Sequence, residues 1–203
     1  AAGGDKAVKL NEAPITASTN FVDARADFKK SNAWTVRPII DGKEQAPSAP
    51  FTLQAAAAAR PYIAIALKTP EGCTPNDASV GDLDGDGEYE IVLKQEMRPH
   101  DNSHSGVTGR TRLEAYKLSG KFLWRIDLGP NVREGAHYTP FIVYDLDGDG
   151  RAEVACRTAD GTVDGAGKVI GDAKADHRSD KGYVLRGPEF LTIFDGRTGA
   201  ALV

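Results

Sequence analysis

Between Val80 and Leu93 the chain reads VGDLDGDGEYEIVL, and between Val143 and Cys156 it reads VYDLDGDGRAEVAC. Eight of the fourteen paired positions are identical, with Asp145 standing 63 residues after Asp82. Few conformations tolerate so many carboxylates at alternate positions, because like charges this close repel unless a cation stands among them. Glycines between the acids allow a tight curl of backbone, and the β-patterned residues on either side place each curl between two strands. A segment of this kind occurring twice at a fixed offset points to a repeated supersecondary unit.

Counted from Asp82, carboxylates fall at positions 1, 3, 5 and 9 (Asp82, Asp84, Asp86 and Glu90), and position 7 offers the carbonyl of Glu88. The second copy offers Asp145, Asp147, Asp149, the Arg151 carbonyl and Glu153. Hard cations such as Ca²⁺ take six to eight oxygens at about 2.3–2.6 Å, so an all-oxygen set of this charge predicts Ca²⁺ rather than Zn²⁺. The pattern departs from an EF-hand: strands rather than helices flank it, and the last acid falls at position 9 instead of 12. A structural role for the ion is expected. Downstream, TADGTVDGAGKVIGD holds Asp160 and Asp164, which read equally as a third cation site or as hydrogen-bonding aspartates in a Gly-rich loop.

Around the acidic loops the strands come in fours. The first set is Ala78 to Gly81, Glu90 to Gln95, Arg112 to Leu118 and Phe122 to Asp127; the second is Thr139 to Tyr144, Glu153 to Thr158, Phe190 to Phe194 and a start near Ala200. LEAYKLSGKFLW in the first set is echoed by LTIFDGRTGAALV in the second. Repeated four-stranded units are the mark of β-propeller blades, and closed propellers need four to eight of them. Two blades cannot close a ring, so the chain is expected to be part of a longer protein.

The N-terminal stretch is also β-patterned. Trp34, Val36 and Ile40 share one parity, Asp41-Gly42 is a hairpin signal, and FVDARADFKKSNAWTVRPIIDGKE resembles the last strands of a fibronectin type III domain. Such a sandwich needs about 100 residues and seven strands, so residues 1–55 supply only part of one. LQAAAAARPY follows, too short to sustain a helix alone in water. The expected organisation is therefore all-β: an incomplete sandwich (1–55), a linker with a lead-in strand (56–68), and the first two blades of a calcium-binding propeller (69–203).

Composition bounds the rest. Forty per cent apolar residues suffice for a core, and no apolar run approaches the roughly 20 residues of a membrane span. The net charge of −4 is uneven: without the nine acids of the two loops, 25 basic residues face 20 acidic ones. No nucleophile elbow, P-loop, dinucleotide fingerprint or nucleic-acid motif is present. His100 and His104 have helical metal spacing, but Pro99, Asn102 and Gly106 argue against the helix it requires. Cys73 and Cys156 form no disulfide framework, and whether they pair is left open.

In a blade the loop between the first and second strands lies on one face of the disc, so the start of the first strand and the end of the second lie on the other. For the first blade that is Asn76 and Glu96, followed by a polar loop from Met97 to Thr111; for the second it is His137 and Tyr138, then a loop of about 30 residues from Ala159 to Glu189. Loops longer than about 15 residues are usually functional or disordered. A ligand cleft is expected on this face, opposite the acidic loops.

Together, NDASVGDLDGDGEYEIVLK, GAHYTPFIVYDLDGDGRAEVACRTADGTVDGAGKVIGD and GPEFLTIFDGRTG resemble the family 11 polysaccharide lyases, the rhamnogalacturonan lyases. The resemblance runs from Pro61 to Val203, and the family's fibronectin-like N-terminal domain matches the first segment. It implies an eight-bladed calcium-binding propeller in a secreted or periplasmic bacterial enzyme that cuts rhamnose-to-galacturonate bonds of rhamnogalacturonan I by β-elimination. It further implies a monomeric full-length parent with neither nucleic acid nor membrane as a partner. Asn76 and Glu96 map to the family's substrate cleft, and His137, on the same face, is taken as substrate-binding with them, whereas the base and the uronate-neutralising residues belong to later blades, so these 203 residues alone are expected to be inactive. The alternative from a different class is an adhesive propeller of the FG-GAP type, which binds without catalysis; GAHYT and TADGTVDGAGKVIGD are what it has no reason to hold.

Overall fold

The computed structural model of the protein describes residues 7–57, 62–97, 103–135 and 137–203. His100, Pro99, Asn102 and part of the alanine-rich linker lie outside these described residues. The chain divides into two units, Ala1–Tyr62 and Ile63–Val203, and among the described residues every element is a strand.

In the first unit β1 (Asn32–Trp34) pairs antiparallel with β4 (Phe51–Leu53), and β2 (Ile39–Ile40) with β3 (Lys43–Glu44). Asp41 and Gly42 take left-handed φ values of 50° and 74°, the geometry a two-residue hairpin turn requires. Trp34 stacks on Phe51 with ring centroids 6.2 Å apart, and its indole donates to Asp23 at 3.0 Å. None of the described residues of this unit is buried, so it has two hairpin-scale pairings but no core of its own.

The second unit opens with a meander. β5 (Thr74–Gly81), β6 (Glu90–Glu96), β7 (Arg112–Tyr116) and β8 (Phe122–Asp127) pair in sequence, all antiparallel. In β8, Trp124 and Ile126 are buried while Arg125 and Asp127 turn the other way, the period-two alternation of a strand with one covered face. The second sheet runs β9 (Phe141–Tyr144), β10 (Glu153–Ala159) and β13 (Glu189–Phe194) in the order β13-β10-β9, with a bridge from Phe194 to Ala201 where a fourth strand begins. Both acidic stretches thus connect the first and second strands of a meander.

The expected 30-residue loop between Ala159 and Glu189 is not wholly irregular. It contains β11 (Thr162–Val163) and β12 (Val169–Ile170), a small hairpin that pairs with β8 of the first sheet through Val163 and Asp127. The two sheets are therefore laced together by this hairpin, by a 2.7 Å hydrogen bond from the Trp124 indole to the Gly196 carbonyl, and by one shared core. Leu83, Leu113, Trp124, Ile126 and Leu128 from the first sheet meet Val143, Val154 and Phe194 from the second. Each such side chain, when fully buried, contributes about 1.5–3 kcal/mol. Gly81 marks a close approach: a Cβ there would lie 2.7 Å from Val143 Cγ1 and 2.8 Å from Ala152 Cβ.

Both cysteines are free thiols. Cys73 accepts a hydrogen bond from Arg112, while Cys156 is buried in β10, and its burial pushes the thiol up to about 12. It packs as a small apolar residue.

Candidate metal centres and cleft residues

The two acidic loops share one set of amide-to-carboxylate hydrogen bonds. Asp82 Oδ1 accepts the amides of Gly85 (2.7 Å) and Asp86 (3.2 Å), and its Oδ2 accepts that of Gly87 (2.8 Å). Asp145 does the same with Gly148 (2.7 Å), Asp149 (3.1 Å) and Gly150 (2.9 Å). The buried acid at position 9 closes each loop: Glu90 accepts the Leu83 amide and Glu153 the Leu146 amide, both at 2.8 Å. Left-handed φ values of 77° and 89° at Gly85 and Gly87, and of 79° and 88° at Gly148 and Gly150, explain why glycine stands at these positions. The loops touch through backbone, with the Ala152 amide donating to the Asp82 carbonyl at 2.7 Å.

Carboxylate oxygens of Asp82, Asp84 and Asp86 lie within 4.8 Å of one another, as do those of Asp145, Asp147 and Glu153. Asp84 Oδ1 is sequestered from solvent with no hydrogen-bond partner, which is an open acceptor for a cation. The donor set is oxygen only and fits a hard divalent ion. Around the first loop stands one protein cation: Lys117 Nζ is 2.7 Å from Asp84, 2.9 Å from Asp86 and 3.3 Å from Glu90. These bonds, to Asp84 first and Asp86 next, hold the Lys117 ammonium well above its ordinary pKa, and the bond from Lys117 holds the Asp86 carboxyl below its own. In the second loop Arg151 pairs with Asp149 instead. The Glu88 and Arg151 amides donate to Asp86 and Asp149 at 2.8 and 2.9 Å, which fixes the peptide unit that enters position 7.

Asp160 and Asp164 are otherwise engaged. Asp160 takes the Asp172 amide and the His177 imidazole, both at 2.8 Å, and the bond from His177 draws its pKa down. Asp164 takes the amides of Ala166, Lys168 and Ala201. Neither belongs to a converging group of three acids among the described residues.

At the opposite ends of the same strands, the Asn76 amide donates to Glu96 at 2.6 Å, so the structure brings these two sequence-selected residues together. Glu96 is fully buried, and that burial raises its pKa against the pull of Lys94. Sequence reasoning missed Lys94. Its ammonium, 1% exposed, lies 2.8 Å from Asp77, 3.2 Å from Glu96 and 3.5 Å from the Tyr138 carbonyl. His137 is exposed and precedes Tyr138, whose carbonyl accepts from Lys94. The two long loops meet here, with the Gly106 amide donating to the Lys181 carbonyl at 2.7 Å and the Tyr183 hydroxyl to the Ser103 carbonyl at 2.8 Å. A cavity of about 510 Å³ opens between Met97, residues 104–109 and Glu134.

Against known families, residues 66–203 match the one described as "Rhamnogalacturonan lyase family 11, C-terminal domain". The chain belongs to rhamnogalacturonan lyase family 11. Over 206 residues it is 52% identical to the rhamnogalacturonan endolyase YesW of Bacillus subtilis (strain 168), and over 205 residues it is 48% identical to the exolyase YesX of the same organism. Each alignment covers 96% of this chain and 32% of the relative, so the chain spans about a third of the length of the curated relatives it matches. Among solved structures, the Bacillus licheniformis lyase of the family superposes with a TM-score of 0.82 at 50% identity, and YesW with 0.81 at 51%. Both cover 96% of this chain and 34% of the other.

Proposed function

We propose that the chain is the N-terminal portion of a lyase that cuts rhamnogalacturonan by β-elimination. On this reading, residues 69–203 are the first two blades of a calcium-binding propeller, and residues 1–55 are part of a fibronectin-like sandwich. What carries it is 52% identity to an endolyase along 96% of the chain. In the elimination a base takes the proton beside the uronate carboxylate, the C4–O bond breaks, a C4=C5 double bond forms, and the departing oxygen gains a proton. A cation or basic side chain stabilises the negative charge that develops on the carboxylate.

The two acidic loops hold Ca²⁺ in this scheme and act structurally, bracing the turns from which β6 and β10 depart. Asn76, Glu96 and His137 contribute to the cleft at the other end of the strands. The base and the uronate-neutralising groups belong to the remainder of the parent, a secreted or periplasmic protein, and the 203 residues alone are inactive. The test is the ultraviolet absorbance of the calcium-loaded full-length protein with rhamnogalacturonan. A lyase produces a steady rise from unsaturated uronate; a flat trace with retained binding returns the protein to the adhesive class.

A further inference from the structure

Between β8 and β9 runs a connector that carries no motif. Its residues 131–134 read Asn-Val-Arg-Glu and are 4%, 2%, 7% and 2% exposed, although three of the four are of types ordinarily found at the surface. Those three side chains reach the two long excursions, one after β6 and one after β10. The Asn131 amide donates to the carbonyls of Asp160 at 2.8 Å and Ala175 at 2.9 Å, and its oxygen accepts the His177 amide at 2.7 Å. The second excursion is thus pinned where it leaves β10 and again in its middle. Glu134 holds the first. Its carboxylate accepts the amides of Met97 and, at 3.0 Å, of Gly109, and its own amide donates to the Thr108 hydroxyl at 3.1 Å, which draws the two ends of that excursion together. The neck is tight, since a Cβ at Gly109 would lie 2.6 Å from Met97 Cβ.

Arg133 stands between these two moorings. Its guanidinium donates to the His104 carbonyl of the first excursion and lies over the Tyr183 ring of the second, 4.4 Å from the centroid. The tips of the excursions also meet at backbone distance: beyond the bonds already described, a Cβ at Gly182 would fall 2.0 Å from the Gly106 carbonyl oxygen. Stability alone gives no reason to bury this set, because an apolar connector of the same shape would do as well. A satisfied polar network instead holds its partners in one arrangement. The Met97 amide directly follows Glu96, so Glu134 also fixes the end of β6 at which Glu96 stands.

Resting on the lyase reading above, we propose that Asn131, Arg133 and Glu134 are positioning residues that moor both excursions to one buried connector, so that the two loops form a single wall of the cleft and loosen together. Groups that share one hydrogen-bond network do not respond independently. Freeing either excursion removes contacts that hold Arg133 and the joined tips, and the other excursion then loses its backing. Glu96 belongs to the same wall through Met97, so loosening it is felt in substrate binding before it is felt in the chemistry.

The experiment follows amide hydrogen exchange, peptide by peptide, in the full-length protein. Asn131→Ala speeds exchange about tenfold at His177 in its own excursion and also at Gly106 and Gly109 in the other; Glu134→Ala does the converse, with His177 responding. With polymer, Glu134→Ala raises KM about tenfold while kcat stays within about twofold, and Glu134→Gln, whose carbonyl still accepts one amide, recovers part of the loss. Faster exchange confined to the excursion that was altered, or a lowered Tm with KM unchanged in Glu134→Ala, would overturn the proposal. If the buried variants do not fold, Tyr183→Ala decides: a change in the second excursion must speed exchange at Gly109 in the first, and an unchanged Gly109 overturns the coupling. Failure of the lyase reading is distinct. It appears as no ultraviolet rise from the wild type, and the exchange measurements, which need no substrate, still decide the mooring.

Discussion

In the first acidic loop the Lys117 ammonium stands among Asp84, Asp86 and Glu90, whereas the matching residue in the second sheet is Asp195, whose carboxylate caps its own turn by accepting from Thr198. The correspondence follows from the strands: Leu113 to Tyr116 align with Leu191 to Phe194, and Lys117 with Asp195. The amide-to-carboxylate hydrogen bonds onto Asp82 and Asp145 nevertheless agree to about 0.1 Å. The difference teaches that the curl is set by glycines and by amide capture at Asp82 and Asp145, while charge compensation is a separate matter that each loop meets its own way. The strands behind the loops differ too. In the first, buried Glu114 accepts from Gln95, Tyr116 and Arg125; in the second, Thr192 shares one hydrogen bond with Thr158 at 2.7 Å, and Phe194 replaces the tyrosine.

The largest effect should come from that buried acid. Glu114→Ala removes the acceptor of the Tyr116 hydroxyl and one partner each of Arg125 and Gln95, which keep the Lys68 carbonyl and the Thr69 hydroxyl, and is expected to cost about 3 kcal/mol. Thr192→Val should cost only about 1 kcal/mol. Denaturation midpoints of the two variants measure the gap, and equal losses would erase the contrast. Next is removal of the cation. If the site is about a hundredfold saturated, chelation withdraws about 2.7 kcal/mol, and hydrogen exchange should show it at Gly148 to Gly150 before Gly85 to Gly87, where Lys117 remains. Lys117→Met should then abolish the order of release and tighten the first loop's calorimetric Ca²⁺ affinity about tenfold, by removing a competing cation.

The smallest effect is one of pH. Burial first, and then the hydrogen bond to Glu114, push the Tyr116 phenol up to about 12 from its ordinary 10. Between those values the unfolded chain has released a proton that the folded chain still holds, so stability falls as pH rises through the window. The loss is on the order of 1 kcal/mol by pH 11, and Tyr116→Phe should remove it. The second sheet, with Phe194 at that place, has no counterpart.

Much of the local structure was legible beforehand, because the cues were local. Asp-x-Asp-x-Asp-Gly placed both loops, the recurring sets of four β-patterned runs placed β8 and β10, and the Asp41-Gly42 turn signalled the β2–β3 hairpin. Boundaries slipped where tertiary geometry intervened: β5 begins at Thr74 rather than Ala78 because its ladder continues across a bulge, and β9 begins at Phe141 rather than Thr139, whose φ of 61° breaks the strand. The β11–β12 hairpin was invisible because two-residue strands carry no period and its partner, β8, lies in the other sheet. Asn76 and Glu96 could be chosen as strand ends, but nothing marks Lys94 in IVLK as buried, since lysine is ordinarily a surface residue. Lys117 was missed for the same reason: its partners lie about 30 positions upstream, across two strands.

The 2.7 Å bond from the Ala152 amide to the Asp82 carbonyl gives the two repeats a mechanical connection. One turn's outlet is joined to the previous turn's inlet by a backbone hydrogen bond, so a displacement of either turn is passed to the other through main chain as well as through side chains. Joined this way, the repeats behave as links of a daisy chain, and slack introduced at one link is felt next door.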